Sequence, residues 1–195
     1  MGEVMSIDRR AFVAALVAQC PDALVVTGLG SPSYDAFAAG DRPGNFYLWG
    51  AMGGAAAVAL GLALAKPSRP VIAITGDGEQ LMGLGALATA AVQRPDNLTV
   101  VVLDNGHFGE TGMQRSHSSL GLNLVAVAKG CGIEDAVVVR EMDGVQAIAR
   151  RVNAKAGLAL AQVIVAADEL PRALPPRDGV YLKNRVREHL GLAPL

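Results

Sequence analysis

The stretch "PVIAITGDGEQL", residues 70–81, decides the fold, because an apolar run of strand length ends in Gly-Asp-Gly and helix-forming residues follow at once. An acid at the carboxyl end of a buried strand is poorly placed for packing, and glycine on both sides lets a ligand approach the backbone closely. The stretch therefore predicts a strand that delivers Asp77 to a ligand or metal site.

Apolar runs of strand length alternate with helical segments along the rest of the chain. The predicted strands are residues 23–28, 70–76, 97–105, 135–140 and 158–166, and the predicted helices are residues 12–19, 54–65, 81–94, 123–132 and 143–155. The strands are continuously apolar, as expected when helices cover both faces of a sheet. We therefore predict an α/β fold with a doubly wound parallel sheet and helices on both faces.

The length of 195 residues favours one main domain. We assign it to residues 1–170, and we expect the Pro-rich and then charged segment 171–195 to form an arm or an interface helix. Apolar residues make up 51% of the chain and charged residues 18%, a balance that suggests subunit interfaces.

Composition also argues against several partners. A net charge of −1 offers no basic stripe for nucleic acid. The Gly- and Ala-rich run 50–65 is shorter than the roughly 20 residues that a membrane span requires, so it predicts a core helix.

Residues 1–20 predict a first helix of the mature protein rather than a targeting signal. Cys20 and Cys131 lack metal-type spacing, and we predict two buried thiols in a cytoplasmic protein.

The predicted sheet places chemically active residues at one edge. Ligands of such sheets bind beyond the carboxyl ends of the strands, where Asp77 and Asn105 follow two strands that we expect to be neighbours. Both side chains offer the oxygen ligands that Mg2+ prefers. Gly76 and Gly78 allow the backbone to approach a diphosphate, and a helix opening near Glu79 would point amide groups at it. The pattern predicts a site for Mg2+ and a diphosphate.

The same residues resemble a known family. Gly76-Asp77-Gly78, with Asn105 after 26 intervening residues, is similar to the motif of thiamine diphosphate enzymes. The likeness covers roughly residues 24–132, and "DRPGNFYLWGAMGGAAAVALGLALAKPSRPVIAITGDG" within it resembles the diphosphate-binding domain or subunit of sulfopyruvate and phosphonopyruvate decarboxylases. The resemblance implies the thiamine diphosphate-binding fold, with thiamine diphosphate and Mg2+ as cofactors.

The resemblance also implies a role for individual residues. Asp77, the side-chain oxygen of Asn105 and the backbone carbonyl of His107 would hold Mg2+. The diphosphate would lie against the backbone of Gly30, Ser31, Gly76, Gly78 and Glu79. The carbonyl of Gly50 would accept a hydrogen bond from the aminopyrimidine, and the Met52 side chain would hold the cofactor in its bent shape, although simple core filling is the alternative for Met52.

Members of this family also need a Glu that activates the pyrimidine ring, and it lies on a separate pyrimidine-binding domain. The resemblance therefore implies that this chain is a β-type subunit, completed by an α-type pyrimidine-binding subunit in an α2β2 or larger assembly. The expected reaction is decarboxylation of a small 2-oxo acid, which makes the chain part of a thiamine diphosphate-dependent carboxy-lyase.

The loop "NGHFGETGMQRSHSS" follows the proposed Mg2+ ligands. Its candidate catalytic residues are His107, Glu110, Gln114 and His117, since imidazoles and carboxylates near a cofactor can contact substrate and transfer protons. Arg115 could pair with an anionic substrate group. A solvated loop is the alternative. The loop departs from the decarboxylase pattern, expected to be closer to "NGAYGSTGGQPT", so the substrate stays open.

Other interpretations remain at this point. "GLGALA", residues 83–88, matches a dinucleotide-binding pattern with Asp104 as the ribose ligand, but that pattern must begin directly after a strand, so we predict glycines that pack a helix on the sheet. A carboligase or acyltransferase subunit similar to acetolactate synthase would use the same cofactor. A non-catalytic regulatory subunit could keep the fold alone.

Overall fold

The computed structural model describes residues 6–195, so residues 1–5 of the predicted first helix lie outside the described part. The helices are α1 (Arg9–Gln19), α2 (Ser31–Ala38), α3 (Ala55–Ala65), α4 (Asp77–Met82), α5 (Gly85–Gln93), α6 (Leu124–Gly130), α7 (Gly144–Ala154) and α8 (Gly179–His189). The strands are β1 (Leu24–Thr27), β2 (Asn45–Tyr47), β3 (Val71–Gly76), β4 (Leu98–Asp104), β5 (His107–Phe108), β6 (Gln114–Arg115), β7 (Ala136–Val139) and β8 (Ala159–Ile164).

Six of these strands form one sheet in the order β2-β1-β3-β4-β8-β7, and every neighbouring pair is parallel. Strands β5 and β6 form a small antiparallel hairpin beyond β4. The sheet places the ends of β1, β3 and β4 side by side. The prediction of a doubly wound parallel sheet is confirmed.

Two apolar cores lie on opposite faces of the sheet. Val25, Ile72 and Val101 belong to the core that α1 and α7 cover. Their neighbours Val26 and Ala73 belong to the core that α3, α5 and α6 cover. Because successive side chains of a strand point to opposite faces, both sets must be apolar, which explains the continuous apolar runs.

Two elements between β1 and α3 were not predicted. Helix α2 begins directly after Gly30, with Pro32 in its first turn, where a missing N–H is tolerated. Strand β2 is only three residues long and lies at the edge of the sheet, so its sequence carries little periodic signal. Both elements lengthen the path of the chain between β1 and α3.

The prediction of one helix over residues 81–94 is wrong. Helix α4 begins at Asp77 and ends before Gly83, and α5 begins after this interruption. A Cβ atom at Gly83 would lie 2.0 Å from the carbonyl oxygen of Gly53. Gly83 is therefore required for a close approach to the loop before α3, and it does not pack a helix on the sheet.

Helix α3 is only partly the core helix that its composition predicts. Ala59 and Leu60 are buried against the sheet, whereas Val58 and Leu64 are exposed by 39% and 46%. Within residues 6–195, none of the helices has the length and apolar character needed to cross a membrane.

The C-terminal segment folds back on the sheet edge. Helix α8 contacts β2 and buries Leu182. Arg185 forms an ion pair of 2.6 Å with Asp41, and the indole N–H of Trp49 donates to the carbonyl of Pro176 at 3.0 Å. An interface role for residues 171–195 stays a prediction.

The two cysteines have different environments, so the prediction of two buried thiols is wrong for one of them. Cys20, directly after α1, is fully buried, whereas Cys131, directly after α6, is partly exposed. Burial raises the pKa of the Cys20 thiol to about 11, although the positive charge of Arg42 opposes the rise. The thiolate is the reactive form, so Cys20 is doubly protected.

We expect iodoacetamide at about pH 8 to modify Cys131 and to leave Cys20 unmodified until the protein unfolds, because the Cys20 thiol is both inaccessible and protonated. Mass spectrometry of tryptic peptides measures both sites. A Cys131→Ser control should show no labelling of the native chain. Equal labelling of both thiols in the native protein would contradict the packing of α1.

Candidate functional site

A cavity of about 190 Å³ opens at the carboxyl ends of β3 and β4, beside the start of α2. Its lining includes nine of the residues predicted for the site, namely Ser31, Met52, Gly76, Asp77, Gly78, Glu79, Asn105, His107 and Glu110. The sheet therefore brings together residues that lie far apart in the sequence.

Asp77 is the centre of a buried polar network. Its side chain follows β3 directly and the residue is 2% exposed. Oδ2 accepts hydrogen bonds from the hydroxyl of Ser116 and, at 2.9 Å, from that of Ser118. Both serines lie in the loop after β4, about 40 residues away, so the network ties that loop to the end of β3.

A second carboxylate shares this network. The Ser118 hydroxyl lies 2.8 Å from Oδ1 of Asp104, and Gln162 on β8 donates to Oδ2 of Asp104 at 2.6 Å. Burial raises the pKa of the Asp77 carboxyl, and the charge of Asp104 adds to the rise, whereas the serine hydroxyls lower it. Two buried acids this close favour a cation beside them.

Asn105 and His107 form a tight turn at the mouth of the cavity. The backbone N–H of His107 donates to Oδ1 of Asn105 at 2.9 Å, and Nδ1 of His107 lies 2.7 Å from the Asn105 carbonyl oxygen. Gly106 between them has a φ of 69°, a conformation that favours glycine. The turn fixes the Asn105 amide beside the end of β4, and the oxygen keeps a second lone pair.

The glycines of the motif fit an approaching diphosphate. A Cβ atom at Gly76 would meet nothing within 4 Å, so the backbone borders open space there. A Cβ atom at Gly78 would lie 2.2 Å from the Phe108 ring. Helix α4 begins between them, and its N-cap residue, Gly76, has no side chain to cap the first turn. Backbone amides beside open space suit an anionic group.

The donor set also restricts the kind of metal. Within the part of the chain that the structure describes, no three His, Cys, Asp or Glu side chains lie close enough together to hold a metal ion. A metal beside Asp77 would meet neutral oxygens, such as Asn105 Oδ1 and backbone carbonyls, and water or phosphate would complete its shell. Mg2+ prefers such a set, and softer metals do not.

The remaining predicted loop residues separate into two groups. Glu110 lines the cavity and forms an ion pair of 3.2 Å with Arg172, and Tyr34 donates to it at 3.4 Å. Gln114 instead bonds Thr111 at the exposed surface. The cavity lining does not include Gln114, Arg115 or His117.

His117 stacks edge-on against Phe108, with ring centroids 6.5 Å apart. Arg115 turns back to hydrogen-bond Ser119. Catalytic contacts of the histidines, and of Gln114 and Glu110, stay predictions.

The residues predicted for the two ends of the cofactor differ in position. Gly30 has a φ of 76° and begins α2 close to the Glu110 side chain. Gly50 has a φ of 71° and lies in an exposed loop outside the cavity lining. Met52, in the same loop, lines the cavity and is 40% exposed. Simple core filling therefore does not describe Met52.

Sequence reasoning missed the residues that hold Asp77. The sequence pattern marks Ser116 and Ser118 only as part of a polar loop, and Asp104 only as the ribose ligand of a dinucleotide-binding pattern. The hydrogen bonds that Asp104 accepts from Gln162 and from the backbone N–H of Gly106 engage both of its oxygens, which argues against the dinucleotide interpretation. Three serines in four residues, "SHSS", after the "LDN" strand end were the available signal.

We expect Ser116→Ala to lower the free energy of unfolding by about 1–3 kcal/mol, because it removes a donor to a buried carboxylate. Urea denaturation measures the change. Ser68→Ala, at an exposed serine, is the matched control and should change it by less than about 0.5 kcal/mol. Equal stability of the two variants would contradict the network around Asp77.

Comparisons with known proteins agree with this geometry. The family model described as "Thiamine pyrophosphate enzyme, C-terminal TPP binding domain" matches residues 32–163. The chain is 42% identical over 111 residues to sulfopyruvate decarboxylase subunit beta of Methanocaldococcus jannaschii, covering 57% of this chain and 58% of the relative.

It is also 48% identical over 125 residues to phosphonopyruvate decarboxylase of Streptomyces viridochromogenes, covering 64% of this chain but 31% of the relative. The chain thus spans less than two thirds of these relatives in the alignments.

A solved structure extends the likeness to the fold. The crystal structure of a putative thiamin diphosphate-dependent enzyme from Mycobacterium smegmatis superposes with a TM-score of 0.71 at 26% identity. The superposition covers 84% of this chain and 32% of that one. The matched family region contains β2 to β8, the Gly76–Gly78 motif and Asn105. The chain belongs to the thiamine pyrophosphate enzymes and carries their C-terminal TPP-binding domain.

Proposed function

We propose that this chain is the diphosphate-binding subunit of a thiamine diphosphate-dependent 2-oxo acid decarboxylase. The observation that carries the proposal is the buried Asp77 carboxylate, held by two serine hydroxyls beside Asn105 and the open backbone of Gly76. The likeness to the sulfopyruvate and phosphonopyruvate decarboxylases supports the reaction type.

In this proposal the chain's own residues bind the anionic end of the cofactor. Asp77, the amide oxygen of Asn105 and the carbonyl of His107 would hold Mg2+, whose positive charge would offset the negative charge of the diphosphate. The backbone amides at the start of α4, together with those of Gly30 and Ser31, would donate to the phosphate oxygens. Ser116 and Ser118 keep Asp77 oriented, as outer-shell partners of metal ligands do.

Other residues would act at the reacting end. Met52 on the cavity wall would support the bent cofactor, and the carbonyl of Gly50 would orient its aminopyrimidine. His107 lines the cavity and is half-buried, so its imidazole is a candidate to hold or move a proton. Bound thiamine diphosphate would supply the electron sink that accepts the electron pair left when CO2 departs.

The proposal includes a partner subunit. The relative from Methanocaldococcus jannaschii is named as a subunit beta, and the cavity lies partly open beside the exposed Met52 and Met82 side chains. An α-type, pyrimidine-binding subunit that supplies the activating Glu would cover this side. An α2β2 or larger assembly follows if each cofactor lies between two chains.

The direct test is CO2 release from a panel of small 2-oxo acids, including sulfopyruvate and phosphonopyruvate, by the complex purified from the native host. Asp77→Ala should lower the rate by more than about 100-fold, because the removal of a metal ligand exceeds the 10–100-fold effect of outer-shell changes. Glu141→Ala, at an exposed acid, is the matched control and should leave the rate unchanged.

The outcomes separate the candidate reactions. If Asp77→Ala loses activity and Glu141→Ala keeps it, the result supports catalysis by this chain. Full activity in Asp77→Ala would assign the chain a non-catalytic role. If no 2-oxo acid releases CO2, the reaction assignment is wrong. Acceptor-dependent carboligation products would instead indicate a reaction similar to that of acetolactate synthase.

A further inference from the structure

The side chain of Glu79 has a position that its proposed backbone contact does not explain. Glu79 lies in the first turn of α4, is 3% exposed, and reaches the loop before α3. There Oε1 accepts a hydrogen bond from the backbone N–H of Gly53 at 3.4 Å. The carboxylate also lies close to the backbone N–H of Ala55, the first residue of α3, where the positive end of the helix dipole favours a negative charge.

The fit around this carboxylate is close. A Cβ atom at Gly28, at the end of β1, would lie 1.6 Å from Oε2 of Glu79. Within the described residues Oε2 has no hydrogen-bond partner of ordinary geometry, although the Thr75 hydroxyl and the backbone N–H groups of Gly76 and Ala55 also lie close to the carboxylate. Burying a carboxylate that is only partly paired is unfavourable, so packing alone does not account for an acid here.

The same loop is held from a second side. A Cβ atom at Gly53 would lie 2.9 Å from the backbone nitrogen of Gly83, just after α4. The first turn of α4 thus contacts the loop through Glu79, and the end of α4 contacts it through Gly83. Gly53 has a φ of 91°, a backbone conformation that favours glycine. This loop, residues 50–54, carries Gly50 and Met52.

We propose that the Glu79 side chain is a positioning residue, which fixes the loop of residues 50–54 against α4. It couples the two ends of the cofactor site, because α4 begins with the diphosphate motif and the loop carries the residues assigned to the pyrimidine end. Only this coupling of the two ends of the cofactor site rests on the proposed function. The mechanical link between Glu79 and the loop can be tested in the chain without any cofactor.

Hydrogen exchange of the full chain, followed by mass spectrometry, tests the link. Glu79→Ala should speed exchange in peptides that cover residues 49–55 by about tenfold or more, because the hydrogen bond that the Gly53 N–H donates to the carboxylate is lost. Glu79→Gln keeps an acceptor of the same length and should restore slow exchange. Peptides from β4 should exchange alike in all variants, which shows that the fold is intact.

Gly28→Ala provides an independent variant. Its methyl group would overlap Oε2, displace the carboxylate and speed exchange in the same loop as Glu79→Ala does. In the Glu79→Ala background the added methyl should have little further effect, since the two changes act through one contact. Additive effects, or unchanged loop exchange in both single variants, would overturn the proposal.

Ligands then separate this inference from the proposed function. With Mg2+, inorganic diphosphate should protect residues 76–82 alone, and thiamine diphosphate should protect both 76–82 and the loop. In Glu79→Ala, thiamine diphosphate should still protect 76–82 but no longer the loop, and protection of both would overturn the coupling. If thiamine diphosphate protects neither segment of the wild-type complex, the proposed function fails, and the cofactor-free experiment still decides whether Glu79 fixes the loop.

Discussion

One constraint organises the site: a carboxylate follows a fully buried strand and cannot be left without partners. Strand β3 lies inside the sheet between β1 and β4, so Asp77 emerges at its end into a region shielded from water. The hydroxyls of Ser116 and Ser118 provide hydrogen bonds, but they bring no positive charge. In the proposed function, a cation and an anionic ligand would balance the charge of this buried acid.

Much of the surrounding structure follows from this arrangement. The loop after β4 must return to Asp77, and the tight turn at Gly106 and the short β5-β6 hairpin allow it to do so. Glycine at residues 76 and 78 leaves the backbone open on one side and accepts the Phe108 ring on the other. On the far side of α4, Glu79 and Gly83 contact the loop that carries Met52. One short helix thus touches both halves of the proposed cofactor site.

The sequence predicted the sheet and the cavity better than it predicted the connections between them. Continuous apolar runs defined β1, β3, β4 and β8. Their successive residues are buried on alternate faces of the sheet, so buried parallel strands need no polar alternation. The break at Gly83 escaped prediction, since it depends on the distant backbone of Gly53. The serine partners of Asp77 escaped for the same reason: about 40 residues separate them, and hydrogen bonds at that range leave no periodic trace.

Calorimetric titration of thiamine diphosphate into this chain, in complex with its co-purifying partner, tests the central claim most directly when it is run with Mg2+ and again with a chelator. The account predicts tight binding with Mg2+, and loss of binding with the chelator or in Asp77→Ala, because Asp77 would hold the metal and the metal's charge would offset that of the diphosphate. Equal affinity with and without Mg2+, or no binding under either condition, would contradict the assignment of Asp77 as the metal ligand of a cofactor site.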